Sequence, residues 1–131
     1  MYDFKWKHSF LLEEFHYILL SLLALLIAVL IHELGHYVAA LYYGLNPNFS
    51  INLNAIYVET SVSNQIINGI VNHAGPIANL IVGFTALIFL FMRGHTCGIR
   101  DYFCFLLFLI TITNLLVALI SLILFSFSGI L

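Results

Sequence analysis

The sequence predicts an all-α membrane protein: a three-span transmembrane helix bundle with a short strand-like insertion between the first and second spans. Of the 131 residues, 63% are hydrophobic and only 8% are charged, whereas about a quarter of the residues in a soluble domain are charged. Three apolar stretches, near residues 15–43, 66–92 and 102–127, are each long enough to cross a bilayer. Between the first two, residues 48–54 alternate strictly between polar and apolar side chains, which is the period of a half-exposed strand.

The length of the chain predicts one membrane-embedded domain, residues 1–131, and no separate soluble domain. A net charge of -2 is too small to indicate a nucleic-acid partner, so the expected surroundings are the lipid bilayer. Residues 1–16 mix charged side chains with aromatic ones. That mixture is typical of a segment at the membrane surface.

The first span carries small residues and two histidines on one helical face. Small residues mark the places where neighbouring membrane helices approach closely, so we expect this face to point into the bundle. Gly44 is expected to end the helix, and the Asn-Pro-Asn run at 46–48 to turn the chain. The members of the face are Ser21, Ala24, Ala28, His32, Gly35, His36 and Ala39.

The remaining segments leave several alternatives open. Residues 55–62 either continue the strand or return as a second one, and an ordinary interfacial loop is the alternative to both. In the second span, Pro76 either opens the helix or kinks it. Asn79 either forms a hydrogen bond between helices or belongs to a site. In the third span, Asn114 is the only strongly polar residue.

The chemistry of the chain is concentrated at residues 32–36, which read His-Glu-Leu-Gly-His. On a helix, positions i and i+4 lie on one face, so His32 and His36 can hold one metal ion between them. Glu33 lies beside the first histidine, where it can act as general base toward a water. The alternative is a helix end with interfacial histidines. Ionisable groups at membrane depth are costly and usually functional, which favours a zinc site.

The motif resembles the site-2 protease family of intramembrane zinc metalloproteases, because residues 74–79 also match that family with Ala-Gly-Pro-Ile-Ala-Asn. The resemblance covers about residues 25–92, and the strand-like insertion is similar to the family's edge strand beside the active site. It implies a three-helix catalytic core, with a third metal ligand from the last helix. It also implies a substrate-binding role for Asn114 on the last span. We expect Asn79, and with it Asn114, to hold either the bundle or the substrate backbone.

The third ligand that the family places on its last helix has no match here. The family pattern is close to Asn-x-x-Pro-x-x-x-x-Asp-Gly, and this chain has Asn114 without the proline and Leu122 at the aspartate position. Three explanations are open. Another side chain completes the site, with His73 and Glu59 preferred over Asp101. Alternatively, the chain is shortened relative to active relatives, or it is an inactive relative that binds helices without cutting them.

The leading hypothesis is an intramembrane zinc metalloprotease that cleaves a membrane-spanning protein or peptide. In this hypothesis His32 and His36 bind Zn²⁺ and Glu33 is the catalytic base. The alternative is a catalytically degenerate, site-2-protease-like membrane protein that binds a membrane partner. A metal-binding or transport component is a third interpretation, but it would need more polar residues on the second and third spans. An oligomer, or a partner chain that supplies the missing ligand, stays open.

The expected location is an integral, multi-pass position in the cell membrane. All four basic residues lie before the first span or at the connection between the second and third, and none lies between residues 44 and 92. The positive-inside rule predicts that these two segments are cytoplasmic. The family resemblance implies the opposite orientation, with the strand and the nearby site towards the cytosol. The basic residues are Lys5, Lys7, Arg93 and Arg100.

Overall fold

The protein folds as three long helices with a small antiparallel sheet between the first and the second. The computed structural model describes residues 3–51, 56–61, 63–93 and 101–128. The fold class predicted from the sequence is confirmed. The elements, in chain order, are α1 (Asp3–Tyr42), β1 (Asn48–Ile51), β2 (Ile56–Glu59), α2 (Gln65–Arg93) and α3 (Tyr102–Ser128).

All three helices are long and apolar enough to cross a membrane, which indicates a membrane protein. The candidate spans are Glu14–Tyr42, Gln65–Arg93 and Tyr102–Leu124, close to the predicted bounds. The helix that contains the first span extends back to Asp3, through the stretch predicted to lie at the membrane surface. Neither glycine nor proline occurs before Gly35, so nothing in the local sequence interrupts that helix.

Gly44 ends α1, as predicted, through a left-handed backbone conformation with φ of 72°. The N–H of Gly44 donates to the carbonyl of Leu41 at 3.0 Å, and the N–H of Leu45 donates to that of Ala40 at 3.0 Å. This pair of bonds is the Schellman arrangement, which satisfies carbonyls that the helix end leaves without partners. Glycine adopts this conformation without the steric cost of a Cβ.

The strand-like insertion is a two-stranded antiparallel sheet, in which β1 pairs with β2. The register places Phe49 opposite Val58 and Ile51 opposite Ile56. Of the alternatives for residues 55–62, the described part therefore returns as a second strand. The rest of the predicted alternation, residues 52–54, lies outside the described residues. It is β2 that packs against α1.

The interior of the bundle is built from small residues and a few polar ones. Ala24 and Ala28 on α1 are fully buried, as predicted for the inward face. Ser21, the first member of that face, is exposed, so the prediction is wrong there. Large apolar residues lie on the outside, as expected of a helix surface in lipid. Pro76 lies inside α2, eleven positions after its first residue, Gln65, so it does not open the helix. Other buried small residues are Ala40, Gly75, Gly83, Ala86 and Ala118.

Candidate metal centre

The three ionisable residues of the motif lie together on one turn of α1. One potential ligand atom from each of His32, Glu33 and His36 lies within 4.8 Å of the other two. The centroids of the two imidazole rings are 4.8 Å apart, with the ring planes at 81°. All three side chains are half-buried. The i, i+4 spacing of the histidines produces this arrangement, so the structure brings together the residues predicted to bind metal and the predicted base.

The imidazole of His36 is held by the backbone of α2. Its Nδ1 lies 2.7 Å from the carbonyl oxygen of Val71. A carbonyl only accepts, so Nδ1 carries the ring proton and Nε2 keeps a free lone pair. A hydrogen bond of this kind, from the second ring nitrogen to a backbone carbonyl, orients metal-ligating histidines in general.

The ring of His36 fits against α2 because residue 75 is a glycine. A Cβ at Gly75 would overlap Nε2 of His36 and would lie 2.9 Å from the carbonyl oxygen of His32. On the other helix, a Cβ at Gly35 would lie 2.6 Å from the carbonyl oxygen of Ala74. Two glycines therefore allow α1 and α2 to approach closely at the level of the histidines.

Proline next to Gly75 weakens the backbone hydrogen bonding of α2 at the same level. Pro76 has no N–H, so the carbonyl of Asn72 receives no helical bond from it. The acceptor for His36 is the carbonyl of the preceding residue, Val71. Gly75 and Pro76 thus lie on the stretch of α2 that contacts the imidazole of His36.

The imidazole of His32 also contacts α2, through a side chain. Nδ2 of Asn79 lies 3.3 Å from Nδ1 of His32. Asn79 is completely buried, and its Oδ1 has no hydrogen-bond partner among the described residues. An unsatisfied buried acceptor costs on the order of 1–3 kcal/mol. The contact with His32 therefore satisfies only the nitrogen end of the Asn79 amide.

The carboxylate of Glu33 is fixed by the sheet. The backbone N–H of Val58 donates to Oε2 of Glu33 at 2.9 Å. An N–H that points to Glu33 points away from β1, so the outer edge of β2 faces the candidate site. The strand next to the site is therefore β2, whereas the strand predicted from the alternation at residues 48–54 is represented by β1.

The candidates for a third ligand lie elsewhere. Among the residues that the structure describes, only His32, Glu33 and His36 form a group of potential ligands. Nδ1 of His73 bonds the carbonyl of Gly69, on its own helix, at 2.7 Å. Asp101 precedes the first residue of α3 and caps the helix, with its Oδ1 accepting from the N–H of Phe103 at 3.0 Å. Exposed Glu59, at the end of β2, lines a polar cavity of about 630 Å³ together with Asn46, Asn48, Val58, Thr60, Ser61, Asn68 and Asn72.

The two asparagines predicted to bind substrate are both buried to 0% exposure. Nδ2 of Asn114 donates to the carbonyl of Ile110 at 2.8 Å, within its own helix, while its Oδ1 has no partner in the described chain. In this structure both face the interior of the bundle. Their role in substrate binding stays a prediction.

Three groups of the site were not predicted: the carbonyl of Val71, the N–H of Val58, and the open space at Gly75. The carbonyl and the N–H are backbone groups, and the identity of a side chain does not indicate where its backbone groups bond. The space at Gly75 could have been inferred, since glycine before proline inside an apolar helix is unfavourable unless packing requires it.

The donor set is suited to zinc, since imidazole nitrogen and carboxylate oxygen are both zinc ligands. The hydrogen bond between Nδ1 of His36 and the carbonyl of Val71 is a feature that metal-ligating histidines share. No protein-family model, curated protein or solved structure matches the chain.

Proposed function

We propose that this chain is an intramembrane zinc metalloprotease that cleaves a membrane-spanning protein or peptide, and that it lies as a multi-pass protein in the cell membrane. The observation that carries the proposal is the grouping of His32, Glu33 and His36 within 4.8 Å, on a helix that is long and apolar enough to span a membrane. Ionisable side chains inside a membrane-spanning segment are energetically costly, and where they occur they usually serve a function.

A bound zinc ion supplies Lewis acidity that activates water and polarises the scissile carbonyl. His32 and His36 would hold the ion. Glu33 takes a proton from the attacking water and later delivers it to the leaving amine as the carbon–nitrogen bond breaks. The N–H of Val58 limits the motion of the Glu33 carboxylate, so that the base stays beside the two imidazoles.

The sheet suggests how a substrate would be presented. A membrane-spanning helix has its backbone groups satisfied internally, so it must unwind locally before a peptide bond is exposed. An unwound segment has free N–H and C=O groups that pair with the edge of a strand. On the outer edge of β2 the N–H of Val58 is already taken by Glu33. A segment that pairs with the neighbouring outward-facing backbone groups of β2 would lie beside the base.

A degenerate relative that binds a membrane partner without cutting it is the second candidate. The observation that favours it is the composition of the metal group, which in the described part of the chain contains two histidines and one glutamate. Catalytic zinc sites have three protein ligands as a rule. If Glu33 serves as base, two remain, and zinc is then held less firmly.

The test is a cleavage assay in proteoliposomes with candidate membrane-spanning substrates, comparing wild type with Glu33→Gln. The substitution keeps the shape of the side chain and removes the base, which is expected to lower the rate about 10²–10⁴-fold. Zinc content is expected to stay unchanged. Equal cleavage by both proteins would assign the activity to another enzyme, and a zinc-loaded wild type that cuts nothing would favour the non-enzymatic candidate.

A further inference from the structure

The polar cavity of about 630 Å³ adjoins the groups that hold the candidate metal centre. Val58 and Asn72 are among the residues that line it. The N–H of Val58 holds the carboxylate of Glu33, and Asn72 follows Val71, whose carbonyl holds the imidazole of His36. A ligand in this cavity would therefore lie next to the backbone that positions the base.

The cavity contains a single charged side chain, and its charge is negative. Glu59, which is exposed and lines the cavity, is the only Asp, Glu, Lys or Arg between residues 44 and 92. Lys5 and Arg93 belong to the far ends of α1 and α2. The segments that form the cavity thus supply no lysine or arginine to neutralise Glu59.

The other polar residues of the cavity are neutral and can accept hydrogen bonds. Four are asparagines, at positions 46, 48, 68 and 72, and two are hydroxyl residues, at 60 and 61. Asn68 and Asn72 are one turn apart on α2 and so share a face. A carboxylate among neutral oxygens suits an ammonium or guanidinium group, which brings a positive charge and several N–H donors but no acceptor.

The outer edge of β2 would lead a peptide past this cavity. The N–H of Val58 points away from β1, and in an antiparallel pair the C=O of the same residue points the same way. An extended segment that pairs along this edge would pass Val58, which lines the cavity. Because a strand advances about 3.3 Å per residue, a long basic side chain within about three positions of the bond beside Glu33 would reach Glu59.

We propose that the cavity is a substrate subsite for a lysine or arginine that flanks the membrane-spanning segment of the substrate, and that Glu59 determines this specificity. The inference rests on the substrate path of the proposed function. Asn46 and Asn48 follow the end of the first candidate span at Tyr42, and Asn68 lies in the first turn of the second. The cavity is thus at the level where these spans end, and lysine and arginine are common just outside membrane spans.

The test measures the binding of three synthetic peptides to the full chain in phosphatidylcholine vesicles. Each peptide has a 20-residue Leu/Ala span and the same short polar extension at both ends, so that the direction of insertion does not matter. The three differ only in having Lys, Gln or Glu at the third position outside the span. The chain carries Glu33→Gln to prevent cleavage, and binding is followed by energy transfer between a dye on its N-terminus and a dye on the peptide.

The Lys peptide is expected to bind about two- to fivefold more tightly than the Gln peptide, the range of an exposed ion pair, and the Glu peptide more weakly than both. Glu59→Gln should abolish this order, and Glu59→Lys should reverse it. Glu14→Gln, which removes an exposed carboxylate from the other end of the first span, is the matched control and should keep the order. High salt should reduce the preference, because it screens exposed charges.

Equal binding of the Lys and Gln peptides to the chain with Glu59 intact would overturn the subsite, and this comparison does not depend on how a Glu59 variant folds. A preference for Lys that persists in Glu59→Gln would overturn the role of Glu59. The failure of the proposed function is distinguishable, since binding is measured without cleavage. A chain that prefers the Lys peptide but cuts no substrate when Glu33 is present would retain the subsite and favour the non-enzymatic candidate.

Discussion

The carboxylate of Glu33 accepts a 2.9 Å hydrogen bond from the backbone N–H of Val58. The two residues are 25 positions apart, and the bond joins the helix that carries both histidines to the outer edge of the sheet. Because a carboxylate is a strong acceptor, this contact is worth more than a bond between neutral groups. It makes the sheet part of the candidate site and not merely a connection between spans.

Removing that N–H is expected to impair the base without affecting the metal. In Val58→Pro the donor is lost, and the bonds to β1 are kept because the N–H of Val58 points away from that strand. A hydrogen bond to a charged group is worth about 1.5–3 kcal/mol, so we expect at least a tenfold lower cleavage rate with wild-type zinc content. Val58→Ala retains the N–H and is the control. A Val58→Pro protein that cleaves like Val58→Ala would show that the bond does not orient Glu33.

The second prediction concerns the space that Gly75 leaves for His36. A methyl group at position 75 would overlap Nε2 of His36, so Gly75→Ala must displace the ring or separate the helices. We expect a loss of zinc binding and a destabilisation of about 1–3 kcal/mol, the usual cost of overpacking.

Gly69→Ala is a matched control on the same helix, because a Cβ at Gly69 meets nothing within 4 Å. Alanine is the better helix former by about 1 kcal/mol, so this variant should keep zinc and unfold at a slightly higher temperature. Thermal unfolding in detergent, followed by circular dichroism with and without zinc, measures both effects. Equal zinc affinity in the two glycine variants would contradict the packing described at Gly75.

The spans were predictable because hydropathy and length decide them. The second and third apolar stretches were predicted at 66–92 and 102–127. The corresponding helices in the structure are Gln65–Arg93 and Tyr102–Ser128. Most of the inward face of the first span was predictable for a similar reason, since small residues at helical spacing indicate close packing, although Ser21 is exposed. Ala24 and Ala28 are fully buried on that face.

The relation of the helices to the sheet was not predictable from local pattern. Alternation of polar and apolar residues gives the period of a strand but not which edge faces a neighbouring helix. The contact of Glu33 with Val58, and that of His36 with the carbonyl of Val71, depend on tertiary packing. Pro76 illustrates the same limit: propensity favours a helix start, yet packing keeps it inside α2.

The third prediction separates the two histidines of the motif from His73, a histidine on α2. The double change His32→Ala/His36→Ala is expected to abolish zinc binding, while His73→Ala should bind like wild type, since His73 lies outside the ligand group. A ligand that binds only the folded state stabilises it by about 2.7 kcal/mol at a hundred times its Kd. Zinc should therefore raise the unfolding temperature of wild type and of His73→Ala, but not that of the double variant. Zinc loss in His73→Ala would instead assign His73 as the missing ligand.

The fourth prediction is the orientation of the chain in the membrane. Position 9 and Asn48 lie towards opposite ends of α1, because that helix runs from Asp3 to Tyr42. All four basic residues of the sequence lie outside residues 44–92, and the positive-inside rule places such segments in the cytoplasm. We therefore expect the end of α1 that leads into the sheet to face away from the cytoplasm.

Single cysteines at Ser9 and Asn48, in a chain with Cys97 and Cys104 changed to serine, allow labelling of intact cells with a membrane-impermeant maleimide. Asn48→Cys should react before lysis and Ser9→Cys only after it. The reverse pattern would place the sheet and the candidate metal centre towards the cytoplasm, and any substrate would then have to be unwound from that side.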